Sequence, residues 1–173
     1  MSPLVFMFGD LVVDILPEAI STMLHHRQQR FYARESGGQM FARLSENRWR
    51  IEVATGPRGG DRRGRFHFWP DRQAEQDEIN RFYDRGLEFV GDWHTHPEDT
   101  PRPSRNDIKS VENIVRESFH SLPGILMCIV GRKNPPEGLW LSLHSSGGRM
   151  FEPLDESGVS TDPSGISFGS GSP

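Results

Sequence analysis

Two histidines that could share one metal ion lie close together near the middle of the sequence. His94 and His96 are two positions apart in a predicted strand, so both side chains project from the same face. The strand rise puts their Cα atoms about 6.6 Å apart, close enough for both imidazoles to bind one ion. The same spacing also suits two polar residues at a strand end, so the pair alone does not establish a metal site.

Asp107 follows at the predicted start of the next helix, where it has two interpretations. Ser104 and Asp107 have the spacing of a capping box, in which the serine accepts a backbone N–H and the acid reaches back. Alternatively, the carboxylate joins both histidines, and two His with one carboxylate leave an open position, as in catalytic zinc sites. One carboxylate cannot easily serve in both ways, and we favour the ligand interpretation.

Hydrolysis at such a site also requires a general base that is not itself a ligand. Glu35 is the candidate, because it precedes Ser36, Gly37 and Gly38, where missing Cβ atoms allow a close backbone approach. Many other acids of the chain could play this part, so the residues alone do not single out Glu35.

Together these residues resemble a known signature. Glu35, the segment Trp93-His94-Thr95-His96-Pro97, and then Ser104 and Asp107 are similar to the JAMM (MPN+/JAB) metalloprotease pattern E…H-[ST]-H-x7-S-x2-D. The resemblance implies that His94, His96 and Asp107 bind zinc, that Glu35 is the catalytic base, and that Ser104 stabilises the oxyanion. Ala42 departs from the family, many members of which have Gly there.

Residues 71–79 and 91–99 resemble small bacterial members of this family that are encoded beside E1/E2-like conjugation enzymes. The nearest group is the isopeptidases of CBASS antiphage operons. The resemblance implies cleavage between a target lysine and the C-terminal tail of a ubiquitin-like or cGAS/DncV-like nucleotidyltransferase protein. Two alternatives remain open: processing of a ubiquitin-like or sulfur-carrier precursor, and a binding module with purely structural zinc.

Composition narrows the possible functions. The net charge of −4 argues against a general nucleic-acid or anionic-membrane binder. Cys128 is the single cysteine, which excludes an internal disulfide and a Cys-rich zinc module. The apolar N-terminus lacks a basic leader, and no apolar run is long enough to span a membrane. We therefore expect a cytoplasmic protein.

The hydrophobic pattern predicts an α/β (α+β) fold, with a mixed sheet flanked by about three helices in one domain over residues 1–154. Residues 155–173 are rich in Ser, Gly and Pro and are predicted to be a disordered tail. Residues 56–65 contain four Gly and four Arg and are either a solvated loop or a flap that contacts an acidic partner. Residues 4–16 are predicted to be one strand or a bent pair, and a turn or bulge at 35–38 leads into another strand. Further predicted strands cover 50–54, 66–69, 87–96, 125–130, 139–144 and 149–151, and predicted helices cover 17–28, 71–86 and 104–120.

Overall fold

The computed structural model of the protein describes residues 2–30, 32–65, 67–117 and 121–154. The predicted tail, 155–173, lies outside these residues. Within them, eight strands form one mixed sheet in the order β1-β2-β4-β3-β7-β8-β9-β10, and β5 pairs with β6. The strands are β1 Leu4–Phe8, β2 Leu11–Ile15, β3 Gly37–Ser45, β4 Arg48–Ala54, β5 Arg62–Arg63, β6 Phe68–Trp69, β7 Glu88–Thr95, β8 Ile125–Val130, β9 Leu139–His144 and β10 Met150–Phe151, and the helices are α1 Pro17–His25, α2 Arg72–Tyr83 and α3 Arg105–Glu117.

The continuous apolar run of β8 is buried on both faces, as its sequence predicts. Leu126, Cys128 and Val130 pack in the cluster that also holds α1. On the opposite face, Ile125, Met127 and Ile129 pack with Val111 and Val115 of α3. The sheet therefore lies between α1 on one side and α3 on the other, which confirms the predicted mixed sheet with three helices.

The pairing of β7 with β8 places the histidine segment at one end of the sheet. The two strands are parallel, with Trp93 opposite Cys128 and Thr95 opposite Val130. Parallel neighbours need a crossover connection, and α3 supplies it. The end of β7 and the N-terminus of α3 consequently lie at the same edge of the fold.

Of the two alternatives predicted for residues 4–16, the structure has the bent pair. It is an antiparallel hairpin, β1–β2, that turns at Gly9 with a φ of 60°, a value that favours glycine. The Gly/Arg-rich segment 56–65 is not simply a solvated loop. It includes β5, and its Arg58 side chain is only 9% exposed and forms an ion pair with Glu78.

No helix in the described ranges is both long enough and apolar enough to cross a membrane.

Candidate metal centre

The two histidine rings converge, as their spacing in the sequence predicts. The Nε2 atoms of His94 and His96 lie 3.2 Å apart. His94 is paired in the sheet with Gly37 on one side and Ile129 on the other. The backbone N–H of His96 donates to the carbonyl of Val130 at 3.0 Å, which continues the strand pairing past the end of β7. Both imidazoles therefore project from a backbone that is fixed by its neighbours.

Asp107 faces both rings from the first turn of α3. Its Oδ1 lies 3.4 Å from Nε2 of His94, and its Oδ2 lies 3.3 Å from Nε2 of His96. Oδ2 also accepts the backbone N–H of Ser104 at 2.6 Å, and the Ser104 hydroxyl accepts the N–H of Asp107 at 3.2 Å. Asp107 therefore occupies the capping-box position and faces both histidines, with Oδ1 near His94 and with Oδ2 shared between His96 and the N–H of Ser104. Its role as a metal ligand stays a prediction.

The electrostatics of Asp107 favour its ionised form. Burial opposes ionisation, but hydrogen bonds from His94, His96 and Ser104 outweigh it and hold the pKa of Asp107 well below its ordinary value. Two imidazole nitrogens and an ionised carboxylate are donors that suit zinc, and they leave a coordination position open. The three residues implied by the signature therefore have the chemistry to hold this metal.

Glu35 is the second carboxylate of the site and is buried. A ligand atom of Glu35 lies within 4.8 Å of the ring nitrogens of both His94 and His96. Its backbone N–H donates to the carbonyl of Gly64 at 2.6 Å, and its carbonyl accepts from Nε of Arg63 at 2.8 Å. Burial raises the pKa of Glu35 to about 7, the nearby charge of Asp107 adds to this effect, and His96 opposes it.

The two glycines after Glu35 allow three strands to approach one another. A Cβ atom at Gly37 would lie 2.7 Å from the carbonyl oxygen of Trp93, and one at Gly38 would overlap the carbonyl of Thr55. The close backbone approach that the sequence predicts after Glu35 is therefore confirmed. Larger side chains at either position would move Glu35 away from the histidines or force β3 out of the sheet.

A buried polar network, which the sequence did not reveal, lies behind the histidines. The Thr95 hydroxyl accepts the N–H of Ser36 at 3.0 Å and donates to Oε1 of Gln28 at 3.1 Å. The amide of Gln28 donates in turn to the carbonyls of Ala33 and Arg65. This network links β7 to the residues on both sides of Glu35. Gln28 has no sequence signature, because its partners lie far away in the chain.

Cys128 and Trp93 are both buried in the core. Burial raises the pKa of the Cys128 thiol to about 12, so it is not a nucleophile at neutral pH. The indole Nε1 of Trp93 donates to the carbonyl of Thr55 at 2.9 Å.

Comparison with known proteins identifies the family. The family described as "prokaryotic homologs of the JAB domain" matches residues 17–142. The chain belongs to this family. A protein of Escherichia coli strain TW11681 named CD-NTase/cGAS isopeptidase is 34% identical over 140 residues, which cover 78% of this chain and 86% of the relative. A Vibrio cholerae protein of the same name is 31% identical, over 73% of this chain and 80% of the relative.

A structural comparison agrees with the fold. The solution structure of a Desulfitobacterium hafniense protein matches with a TM-score of 0.58 and 19% identity, over 80% of this chain and 87% of the other. At this identity the match concerns the fold alone. A Sinorhizobium fredii protein named probable metalloprotease y4qB is 27% identical, over 81% of this chain and 90% of the relative. Family membership and the names of these relatives identify the chain as a hydrolase of the metalloprotease type.

Proposed function

We propose that the protein is a zinc-dependent isopeptidase of a bacterial CBASS-type antiphage system. It hydrolyses the bond between a target lysine and the C-terminus of a ubiquitin-like or cGAS/DncV-like nucleotidyltransferase protein. The observation that carries the proposal is the convergence of His94, His96 and Asp107, with ring nitrogens and carboxylate oxygens 3.2 to 3.4 Å apart. The names of the two relatives support the substrate class.

In this proposal His94, His96 and Asp107 bind the metal. Zinc supplies Lewis-acid activation of the water and of the scissile carbonyl. The strand pairing of β7 fixes the backbone that carries both histidines, and the capping box holds Asp107 in place.

Glu35 holds and moves the proton. Its carboxylate takes a proton from the attacking water and returns it to the leaving lysine amine, so that the enzyme ends each cycle in its starting state. The contacts of its N–H with Gly64 and of its carbonyl with Arg63 hold the backbone of Glu35 in place beside the histidines.

Ser104 has a second role in the proposal. Its hydroxyl accepts the N–H of Asp107 and still carries a hydrogen that it can donate. We assign that hydrogen to the developing oxyanion of the tetrahedral intermediate. The helix cap and the oxyanion contact therefore use different parts of one hydroxyl.

The proposed partners are protein conjugates with an extended C-terminal tail and an E1/E2-like enzyme encoded nearby. The proposal involves no binding to nucleic acid or to a membrane. Residues 1–154 form the catalytic domain in this proposal, and the site of action is the cytoplasm.

The test combines metal content with cleavage. Purified full-length protein should contain about one zinc per chain by elemental analysis and should release a nucleotidyltransferase from an isopeptide conjugate. Glu35→Gln should retain zinc and lose cleavage. The matched control is Glu52→Gln, which changes a partly exposed glutamate that pairs with Arg43 on a neighbouring strand and should retain both.

The substrates also separate the proposal from precursor processing. An isopeptide conjugate and a linear fusion of the same tail are incubated side by side. Cleavage of the linear fusion alone would replace the isopeptidase assignment with precursor processing. Full cleavage by Glu35→Gln would overturn the assigned role of that residue.

A further inference from the structure

A cavity of about 150 Å³ lies beside the candidate metal centre. Glu35, His94 and Asp107 line part of it, so a substrate held at the metal is within reach of the cavity. Its volume equals that of an engineered protein cavity that binds benzene. A substrate side chain of medium length can therefore enter it.

The walls of the cavity are mostly apolar, and its charged lining residues include more carboxylates than guanidinium groups, with Arg72 as the lining arginine. Phe68 and Trp69 of β6, Ile114 of α3 and Met127 of β8 supply apolar surface. The carboxylates of Glu75 and Asp92 also line it. Asp92 is two residues before His94 on β7 and therefore faces the same side of the sheet.

Asp92 differs from the neighbouring acids in that one of its two oxygens has no hydrogen-bond partner within the described part of the chain. Glu75 and Glu78 each lie within 4.0 Å of the guanidinium of Arg58, and Glu75 also accepts from Arg72 at 2.9 Å. By contrast, Oδ1 of Asp92 is buried and has no hydrogen-bond partner among the residues that the structure describes. Leaving a buried carboxylate oxygen unpaired is costly, so this oxygen is suited to receive a donor from a ligand.

We propose that the cavity is a specificity pocket for a lysine or arginine side chain of the substrate, next to the scissile bond, with Asp92 as the acceptor for its cationic end. This inference rests on the proposed function, because it assumes a polypeptide substrate at the metal. The apolar walls pack against the methylene stem, and the carboxylate pairs with the charged end. Pairing converts the unpartnered oxygen of Asp92 into a hydrogen-bonded one.

Other occupants satisfy the pocket less well. An anionic side chain would be repelled by Asp92 and Glu75, because the carboxylates around this pocket outnumber the two guanidinium groups of Arg58 and Arg72. A purely apolar side chain would fill the walls and leave Oδ1 of Asp92 unpaired. The pocket therefore selects for charge as well as for length.

The first test measures binding with two probes of the same shape. The full-length, zinc-loaded protein is labelled with 13C at the methionine methyl groups and titrated with n-butylguanidinium and with n-butylurea, its neutral counterpart. The Met127 methyl signal should shift with n-butylguanidinium and saturate, whereas the signal of Met23, which is buried in the cluster on the other side of the sheet, should not move. The dissociation constant for n-butylurea should be at least about tenfold higher.

Two variants test the pocket itself. Asp92→Asn keeps the shape and removes the charge, so it should abolish the preference for n-butylguanidinium over n-butylurea. Ile114→Trp fills the cavity without changing its charge and should weaken both probes. Thermal melting establishes whether each variant is folded. If Asp92→Asn does not fold, Ile114→Trp still tests the proposal. Equal binding of both probes to the wild type, or no shift of Met127, would overturn the proposal.

The second test uses conjugates in which the residues flanking the isopeptide bond are changed one at a time to Arg, Lys, Met or Glu. At one position Arg or Lys should raise kcat/KM at least about tenfold over Met, and Asp92→Asn should remove that gain. The two tests distinguish a failure of the proposed function from a failure of the proposed pocket. Binding of n-butylguanidinium without cleavage of any conjugate would refute only the proposed function, and cleavage without a cationic preference would refute only the pocket.

Discussion

The two faces of β7 differ in how their side chains are used. Trp93 and Thr95 are almost completely buried, and each donates a hydrogen bond to a distant segment. His94 on the other face keeps 13% of its side chain exposed, and its polar contacts are with the other members of the candidate metal centre. Strand alternation thus separates residues that fix the backbone from residues that are free to bind metal and substrate.

The largest loss of activity is expected from a substitution on the face of β7 that carries the histidines. His94→Ala removes a proposed metal ligand, so bound zinc should fall to a small fraction of one per chain and conjugate cleavage should fall at least about a thousandfold. The thermal midpoint of the metal-free chains should change little, because the polar contacts of the side chain are with the other members of the candidate metal centre.

Elemental analysis, cleavage and melting are measured on the same preparation. His25→Ala is the control, since His25 is an exposed histidine at the end of α1. A His94→Ala protein with full zinc and full cleavage would remove the functional distinction between the two faces.

The second prediction separates the two roles of Ser104. Glycine is tolerated at a helix N-cap with a loss of only a few tenths of a kcal/mol, whereas loss of an oxyanion donor typically costs about a hundredfold in rate. Ser104→Gly should therefore lower kcat about a hundredfold while the free energy of unfolding barely changes. Initial rates of conjugate cleavage give kcat, and urea titrations give the free energy of unfolding. A loss of stability with unchanged kcat would leave only the capping role.

The sequence predicts the residues of the candidate site better than it predicts what supports them. His94, His96, Ser104 and Asp107 lie within one strand, loop and helix, so local periodicity is enough to bring them together. Glu35 could be placed only through the family signature, because no local rule connects it to residues about 60 positions later.

The supporting residues depend on long-range packing. Gln28 is 67 positions from Thr95, its hydrogen-bond partner, and nothing at the end of an amphipathic helix distinguishes it from a surface glutamine. In the sequence, Asp92 is one polar residue of a half-buried strand. Only the structure shows that one of its oxygens has no hydrogen-bond partner among the residues it describes. The ion pairs of Arg58 are likewise invisible in a Gly/Arg-rich segment that composition alone describes as a loop.

The third prediction tests the buried face of β7. Thr95→Val keeps the shape of the side chain but removes the hydroxyl, so the N–H of Ser36 and the amide oxygen of Gln28 each lose a partner. The free energy of unfolding should fall by about 1–3 kcal/mol, with zinc content still close to one per chain. Thr95→Ser retains the hydroxyl and should cost less. If Thr95→Val were as stable as the wild type, the network would not be what fixes the strand.

The smallest effect is expected from a histidine that supports the fold without facing the metal. His144 on β9 is buried, and its Nε2 lies 2.8 Å from the hydroxyl of Ser142. Burial lowers the pKa of His144 from 6.5 to about 4. Between these values the unfolded chain binds a proton that the folded chain does not, so the free energy of unfolding should fall as the pH falls, by roughly 0.7 kcal/mol from pH 7 to pH 6.

The matched variant is His144→Gln, which cannot titrate in this range. Both proteins are unfolded with urea at several pH values and with the same excess of zinc, so that acid effects on His94 and His96 are common to both. The difference between their free energies of unfolding should therefore change with pH only between about 6.5 and 4, in favour of the variant at low pH. A difference that stays constant would mean that His144 is not held neutral by its surroundings, and that support of the fold on this side of the sheet is insensitive to protonation.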